Sequence, residues 1–193
     1  MMQMTFEEEK QRQARSKKLL LWFAMISMIM VFAGLTSAYV VSKTRADWKP
    51  FEMPSAFFAS TIVILVSSVS FHLAKKATQK DNRSGATAFL LVTLALGLAF
   101  VVLQLQGFYQ LSVHRLFPSG PTSLITVSFL YVVAITHLLH LAGGLISLLV
   151  IIYNHFKQKY NSGQTLGIEL GAMFWHFLDF LWLYLFLFLY FFK

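Results

Sequence analysis

Apolar residues in this chain gather into five long runs, at about residues 19–41, 55–74, 85–111, 123–155 and 169–192. Short polar stretches separate them. A helix needs about 20 mostly apolar residues to cross the hydrocarbon core of a bilayer, and each run is long enough. The pattern predicts an all-α, polytopic membrane protein: one bundle of five transmembrane helices over residues 19–193, behind a polar tail at residues 1–18. The tail reads as solvated rather than as a surface-lying amphipathic helix, because it has no good apolar face. The first run is longer than a signal-peptide core and has no convincing cleavage site, so it reads as an uncleaved span. Its Ser27, Gly34, Thr36 and Ser37 would permit close helix contact.

The last run breaks the apolar pattern. His176 and Asp179 sit in its first half, where an ionisable side chain costs roughly 2.5–3.5 kcal/mol at mid-membrane. Residues three apart share one helix face, so these two can meet each other or a common partner inside the bundle. Trp175 and Trp182 lie seven apart on a neighbouring stripe, and the opposite side is Leu and Phe. The second run carries Ser60, Thr61, Ser67, Ser68 and Ser70. The fourth carries His137 and His140 on one face, followed by Gly143 and Gly144.

Composition confirms the class. The chain is 57% hydrophobic and 12% charged, against about 25% charged in soluble domains. It has no cysteine, which excludes disulfides, zinc thiolates and iron–sulfur centres. The formal charge of +8 fits topology and anionic lipid, and no nucleic-acid motif accompanies it. No internal repeat suggests an inverted-repeat transporter. Eleven Lys and Arg fall in the tail, second loop and fourth loop, against five in the first loop, third loop and C-terminus. The positive-inside rule then puts the N-terminus in the cytoplasm and the C-terminus outside. Trp48 in the first loop reads as an interfacial anchor.

Three chemistries compete for His137, His140, His176 and Asp179: interhelical packing, a metal or haem site, and a proton relay. A di-iron carboxylate bundle needs several inward Glu and Glu-x-x-His pairs, and the last four spans offer only Glu169 and Asp179. A di-haem cytochrome would pair histidines on facing helices, and His72 and His137 are poorly matched in depth. Packing is the leading reading. Gly143 and Gly144 read as a close-approach face, and Gln104 as an interhelical hydrogen-bonder. Glu169 reads equally as a partner for a basic group or lipid head, or as an ordinary acid near a helix N-terminus.

Trp175-His176-Phe177-Leu178-Asp179-Phe180-Leu181-Trp182-Leu183 resembles the last-helix signature W-H-F-x-D-x-x-W-L of subunit III of the haem–copper oxidases. Gly167-Ile168-Glu169 resembles the family's G-x-E, and His137, His140 and Gly144 its H-x-x-H-x-x-x-G. Gln104 resembles the Gln before its next helix end. The motifs occur in family order, and the likeness spans about residues 19–193 in the short five-helix form. Larger members carry an acid in the first of these spans, where this chain reads Ile26-Ser27-Met28-Ile29, and another after the matched Gln, where it has Gly107.

The resemblance implies a subunit with no catalytic, cofactor-binding or metal-binding residues of its own. Haems and copper would sit in partner subunits, with subunit I in direct contact and subunit II and other respiratory subunits in the complex. The complex would reduce oxygen to water and pump protons in a bacterial-type inner membrane. This chain would bind phospholipid and support sustained turnover and proton uptake. Gln104, His137, His140, Gly143, Gly144, Glu169, Trp175, His176, Asp179 and Trp182 would serve packing, lipid or subunit contacts. The alternatives are a quinol oxidase subunit III, an accessory protein of nitric oxide reductase, a membrane cytochrome or metal enzyme using the His/Asp cluster, and an unrelated small transporter.

Overall fold

A computed structural model describes residues 6–45, 48–120, 123–160 and 164–192. The first five tail residues, Ala46, Asp47, Pro121, Thr122, residues 161–163 and Lys193 lie outside the described residues. Five helices make up the fold: α1 (Phe6–Ser42), α2 (Ser55–Gln79), α3 (Arg83–Val113), α4 (Ile125–Phe156) and α5 (Leu166–Phe191). Each is long and apolar enough to cross a membrane, and no strand occurs among the described residues.

One expectation changes at the N-terminus. The segment read as a solvated tail is helical from Phe6 and continuous with the first span. Its Glu, Lys, Arg, Gln and Ala are strong helix formers. Glu8 and Glu9 lie near the start of the helix, the positive end of its dipole, with basic residues after them. A nucleated span extends into such a sequence without a second nucleation cost.

α2 and α3 form the most intimate pair, joined by a tight turn. Asp81 takes a left-handed φ of 53° there, and the Asn82 side chain caps α3 by accepting from the Gly85 amide at 3.1 Å. α5 packs against α1, α2 and α4, while α3 touches α4 but not α5 in comparable measure. The buried positions of α5 explain its place. Ile168, Ala172, Trp175, Leu178, Trp182, Leu185 and Leu189 recur at three- and four-residue steps, the spacing of one helix face. Phe180 and Phe191, on its other side, are exposed.

α1 is the loosest member. Among its described residues, only Met25, Phe32, Thr36 and Tyr39 are buried. The small residues expected to make its contacts do not share that role. Thr36 faces inward and receives a bond from the Tyr184 hydroxyl at 3.4 Å, but Ser27, Gly34 and Ser37 point outward. Trp48 is half-buried, edge-on to Tyr39 with ring centroids 4.8 Å apart, and so packs against the end of the core.

Candidate functional site

The polar groups of α5 meet the hydroxyls of α2. The two helices run antiparallel, so partners on α5 ascend as those on α2 descend. The Trp175 indole donates to Ser67 Oγ at 3.1 Å, and the Trp182 indole donates to Thr61 Oγ1 at 3.0 Å. Ser68 Oγ and His176 Nδ1 share a hydrogen bond of 2.6 Å. The hydroxyls also reach carbonyls: Thr61 donates to Phe57 O at 2.8 Å, and Ser67 to Thr93 O on α3 at 3.4 Å. One further bond ties α3 in, from Gln104 Nε2 to Ser60 Oγ at 2.9 Å. Interhelical side-chain bonds in membranes average about 0.6 kcal/mol and reach about 1.7. Four of them hold the helices in register more than they hold the protein together.

Asp179 departs from expectation. It is 2% exposed, and among the described residues neither carboxyl oxygen has a hydrogen-bond partner. No imidazole bonds it. His176, on the same helix face, is bonded to Ser68 on α2 and not to Asp179.

His137 and His140 are not brought to His176 by any ring contact. His137 is fully buried, and neither ring nitrogen has a hydrogen-bond partner among the described residues. It stands in an aromatic cage, 5.0 Å from the Trp182 ring, 6.1 Å from Phe100 and 6.4 Å from Phe32 by centroids. His140 is half-buried and its Nδ1 lies 2.8 Å from the Thr136 carbonyl one turn back. Among the described residues, no three His, Asp or Glu side chains gather into a group that could hold a metal ion.

The two glycines of α4 also part company. A Cβ on Gly144 would lie 2.8 Å from Leu178 Cδ1, whereas one on Gly143 would meet nothing within 4 Å. Of these two, Gly144 is the close-approach residue within this chain, and Gly97 on α3 is another that the sequence reading did not single out. A Cβ there would fall 2.8 Å from the Trp175 ring. Trp175 therefore lies over glycines of two helices while its indole nitrogen is held by a third. Glu169 sits at the start of α5 and accepts from the Thr165 hydroxyl at 2.7 Å.

The α2 hydroxyls are the functional positions that sequence reasoning noted but did not assign. The acceptors of Trp175 and Trp182, Ser67 and Thr61, lie six apart on α2, nearly the seven-residue spacing of the two tryptophans, and both helices bring these positions to one face.

With this geometry in place, similarity to known proteins decides the family. The family model described as cytochrome c oxidase subunit III matches residues 14–193. The chain belongs to that family, subunit III of the haem–copper oxidases. The cytochrome bo(3) ubiquinol oxidase subunit 3 of Buchnera aphidicola is 29% identical, over 94% of this chain and 96% of the relative. Cytochrome c oxidase subunit 3 of Spodoptera frugiperda is also 29% identical, over 74% and 91%. The probable cytochrome c oxidase subunit 3 of Mycobacterium leprae is 28% identical, over 86% and 82%. Every residue of the α2–α5 seam and of the His137 cage lies inside the family match.

Proposed function

We propose that this chain is the non-catalytic subunit III of a cytochrome c oxidase that reduces oxygen to water and pumps protons. It packs directly on subunit I, within a complex that includes subunit II. It binds phospholipid and supports sustained turnover and proton uptake. Haems and copper belong to the partner subunits. The N-terminus and the α2–α3 and α4–α5 turns face the cytoplasm of a bacterial-type membrane, as the eleven-to-five charge bias supports.

The observation that carries this reading is how the α5 signature is used. Trp175, His176 and Trp182 spend their polar atoms on α2 hydroxyls, which suits a part that fixes helix packing. A redox site would instead need His176 turned, with other ligating side chains, to a common centre. A second reading, a quinol oxidase subunit, is favoured by the Buchnera relative, which aligns over nearly its whole length.

Purification through a tag on this chain tests both. The large haem–copper subunit is expected to copurify, and the complex to oxidise reduced cytochrome c. Oxidation of ubiquinol but not cytochrome c would select the second reading. Failure to recover any haem–copper subunit would defeat both.

A further inference from the structure

His140 stands fifteen residues from one end of α4 and sixteen from the other, roughly 23 Å from each at 1.5 Å per residue. It therefore lies near the centre of the bilayer, where an ionisable side chain almost always faces protein or a water-filled cavity. In this chain it is only half-buried. The Phe32 ring of α1 covers one side, with centroids 5.6 Å apart. Its Nδ1 bonds to the Thr136 carbonyl at 2.8 Å, and a carbonyl only accepts, so Nδ1 holds the proton. In the uncharged ring Nε2 is then an acceptor, and no donor meets it among the described residues. Acyl chains, which surround a helix at that depth, carry no donor either.

The residues beside His140 have the shape of a helix-packing seam. Thr136, His140, Gly143 and Ser147 follow one another at steps of four, three and four, the spacing along which two helices interlock. Thr136 and Ser147 are half-buried and Gly143 is exposed. A Cβ on Gly143 would meet nothing within 4 Å, whereas one on Gly97, Gly107 or Gly144 would lie within 3 Å of a side chain. Those three glycines serve contacts inside the bundle. Gly143 instead leaves bare backbone for a helix approaching from outside. We propose that the Thr136–His140–Gly143–Ser147 face of α4 receives a transmembrane helix of another subunit, which donates a hydrogen bond to His140 Nε2 and crosses α4 at Gly143. The inference rests on the reading of this chain as part of an oxidase complex, and it specifies the face and the chemistry by which the chain is held there.

Native mass spectrometry of the complex, purified through a tag on this chain, tests the face by subunit retention. His140→Leu removes the acceptor at similar bulk. It should weaken retention of the neighbouring subunit about three- to eighteenfold, the range that single interhelical bonds in membranes span. His140→Gln places an amide oxygen near the position of Nε2 and should restore most of the loss. Gly143→Leu should release the subunit more completely. Each variant chain alone should unfold close to the wild-type midpoint, because both positions lie outside the core of the bundle. A photoreactive residue in place of Ser147 keeps His140 and Gly143 intact, so it reads the face even where a variant fails to accumulate. It should crosslink to another subunit of the complex, identified by its mass. Unchanged retention in both His140→Leu and Gly143→Leu, or a crosslink to acyl chains alone, would overturn the face. A crosslink to a second copy of this chain would make the face a homodimer contact and overturn the partner. Loss of bound ubiquinone in His140→Leu, with retention unchanged, would assign Nε2 to a quinol hydroxyl and overturn the helix. Recovery of the haem–copper subunit with the wild-type chain reports on the proposed function separately, whichever subunit the crosslink captures.

Discussion

The two sides of α5 solve the same problem differently. Toward α2, its polar side chains are hydrogen-bonded: Trp175 to Ser67, His176 to Ser68, Trp182 to Thr61. Toward α4 and α1, the buried His137 is surrounded by the rings of Trp182, Phe100 and Phe32 and bonds to none of them. Trp182 belongs to both regions, its nitrogen on one side and its ring face on the other. Hydroxyls on a helix facing α5 allow directional pairing and fix register. The aromatic cage supplies contact area and excludes water but sets no register. Packing does not separate the two sides, since α5 meets α4 about as extensively as it meets α2, and α1 less than either.

The largest expected effect falls on the residue that fills the hydrogen-bonded side. Trp175→Ala removes a 1%-exposed ring seated between Gly97 and Gly144, and truncating a buried aromatic costs about 3–5 kcal/mol. Thermal unfolding of the detergent-solubilised chain should show it as a clear fall in midpoint. A wild-type midpoint would mean that the ring is not packed as described.

Next come the glycines. Gly97→Ala drives a Cβ into the Trp175 ring, a rigid neighbour, at an overpacking cost of about 1–3 kcal/mol. Gly144→Ala meets the end of Leu178, a side chain that can rotate, and should cost less. Gly143→Ala meets open space and should leave the isolated chain unchanged. Were Gly143→Ala to hinder complex assembly while sparing the isolated chain, Gly143 would mark a contact with a partner subunit.

Smaller still is the loss of one seam bond. Ser68→Ala should cost the isolated chain about 0.6–1.7 kcal/mol, the range for interhelical bonds in membranes. His176→Ala, lacking the same bond, should be less than additive with it. Full additivity in a double-mutant cycle would separate the two residues and break the seam at that point.

The bundle and its spans were legible because the bilayer demands long apolar helices, and nothing soluble competes with runs such as α5. The inward face of α5 was legible too, from His176 and Asp179 three apart and from the signature's tryptophans. Which groups pair was not. A hydrogen bond depends on helix rotation and relative depth, so the pairing of Trp182 with Thr61 could not be told from an equally plausible pairing with a histidine. His176 and Asp179 share a face yet do not bond: His176 pairs with Ser68, and Asp179 has no partner among the described residues. The helical start at Phe6 was hidden for another reason: amphipathicity reports burial, whereas this segment is helical through propensity and its continuity with α1.

Asp179 is where the support role is most exposed to test. Within this chain its carboxyl has no donor among the described residues, so Asp179→Ala should change the stability of the isolated chain little. Its effect should appear in the assembled oxidase, as poorer subunit retention or earlier inactivation. The decisive measurement is oxygen consumption by fully assembled Asp179→Ala complexes, followed from the first turnovers until activity is lost. A normal haem spectrum and initial rate, with fewer turnovers before inactivation, is the expected result. Abolition of the initial rate in complexes of full subunit stoichiometry would contradict it and place Asp179 in the chemistry of oxygen reduction.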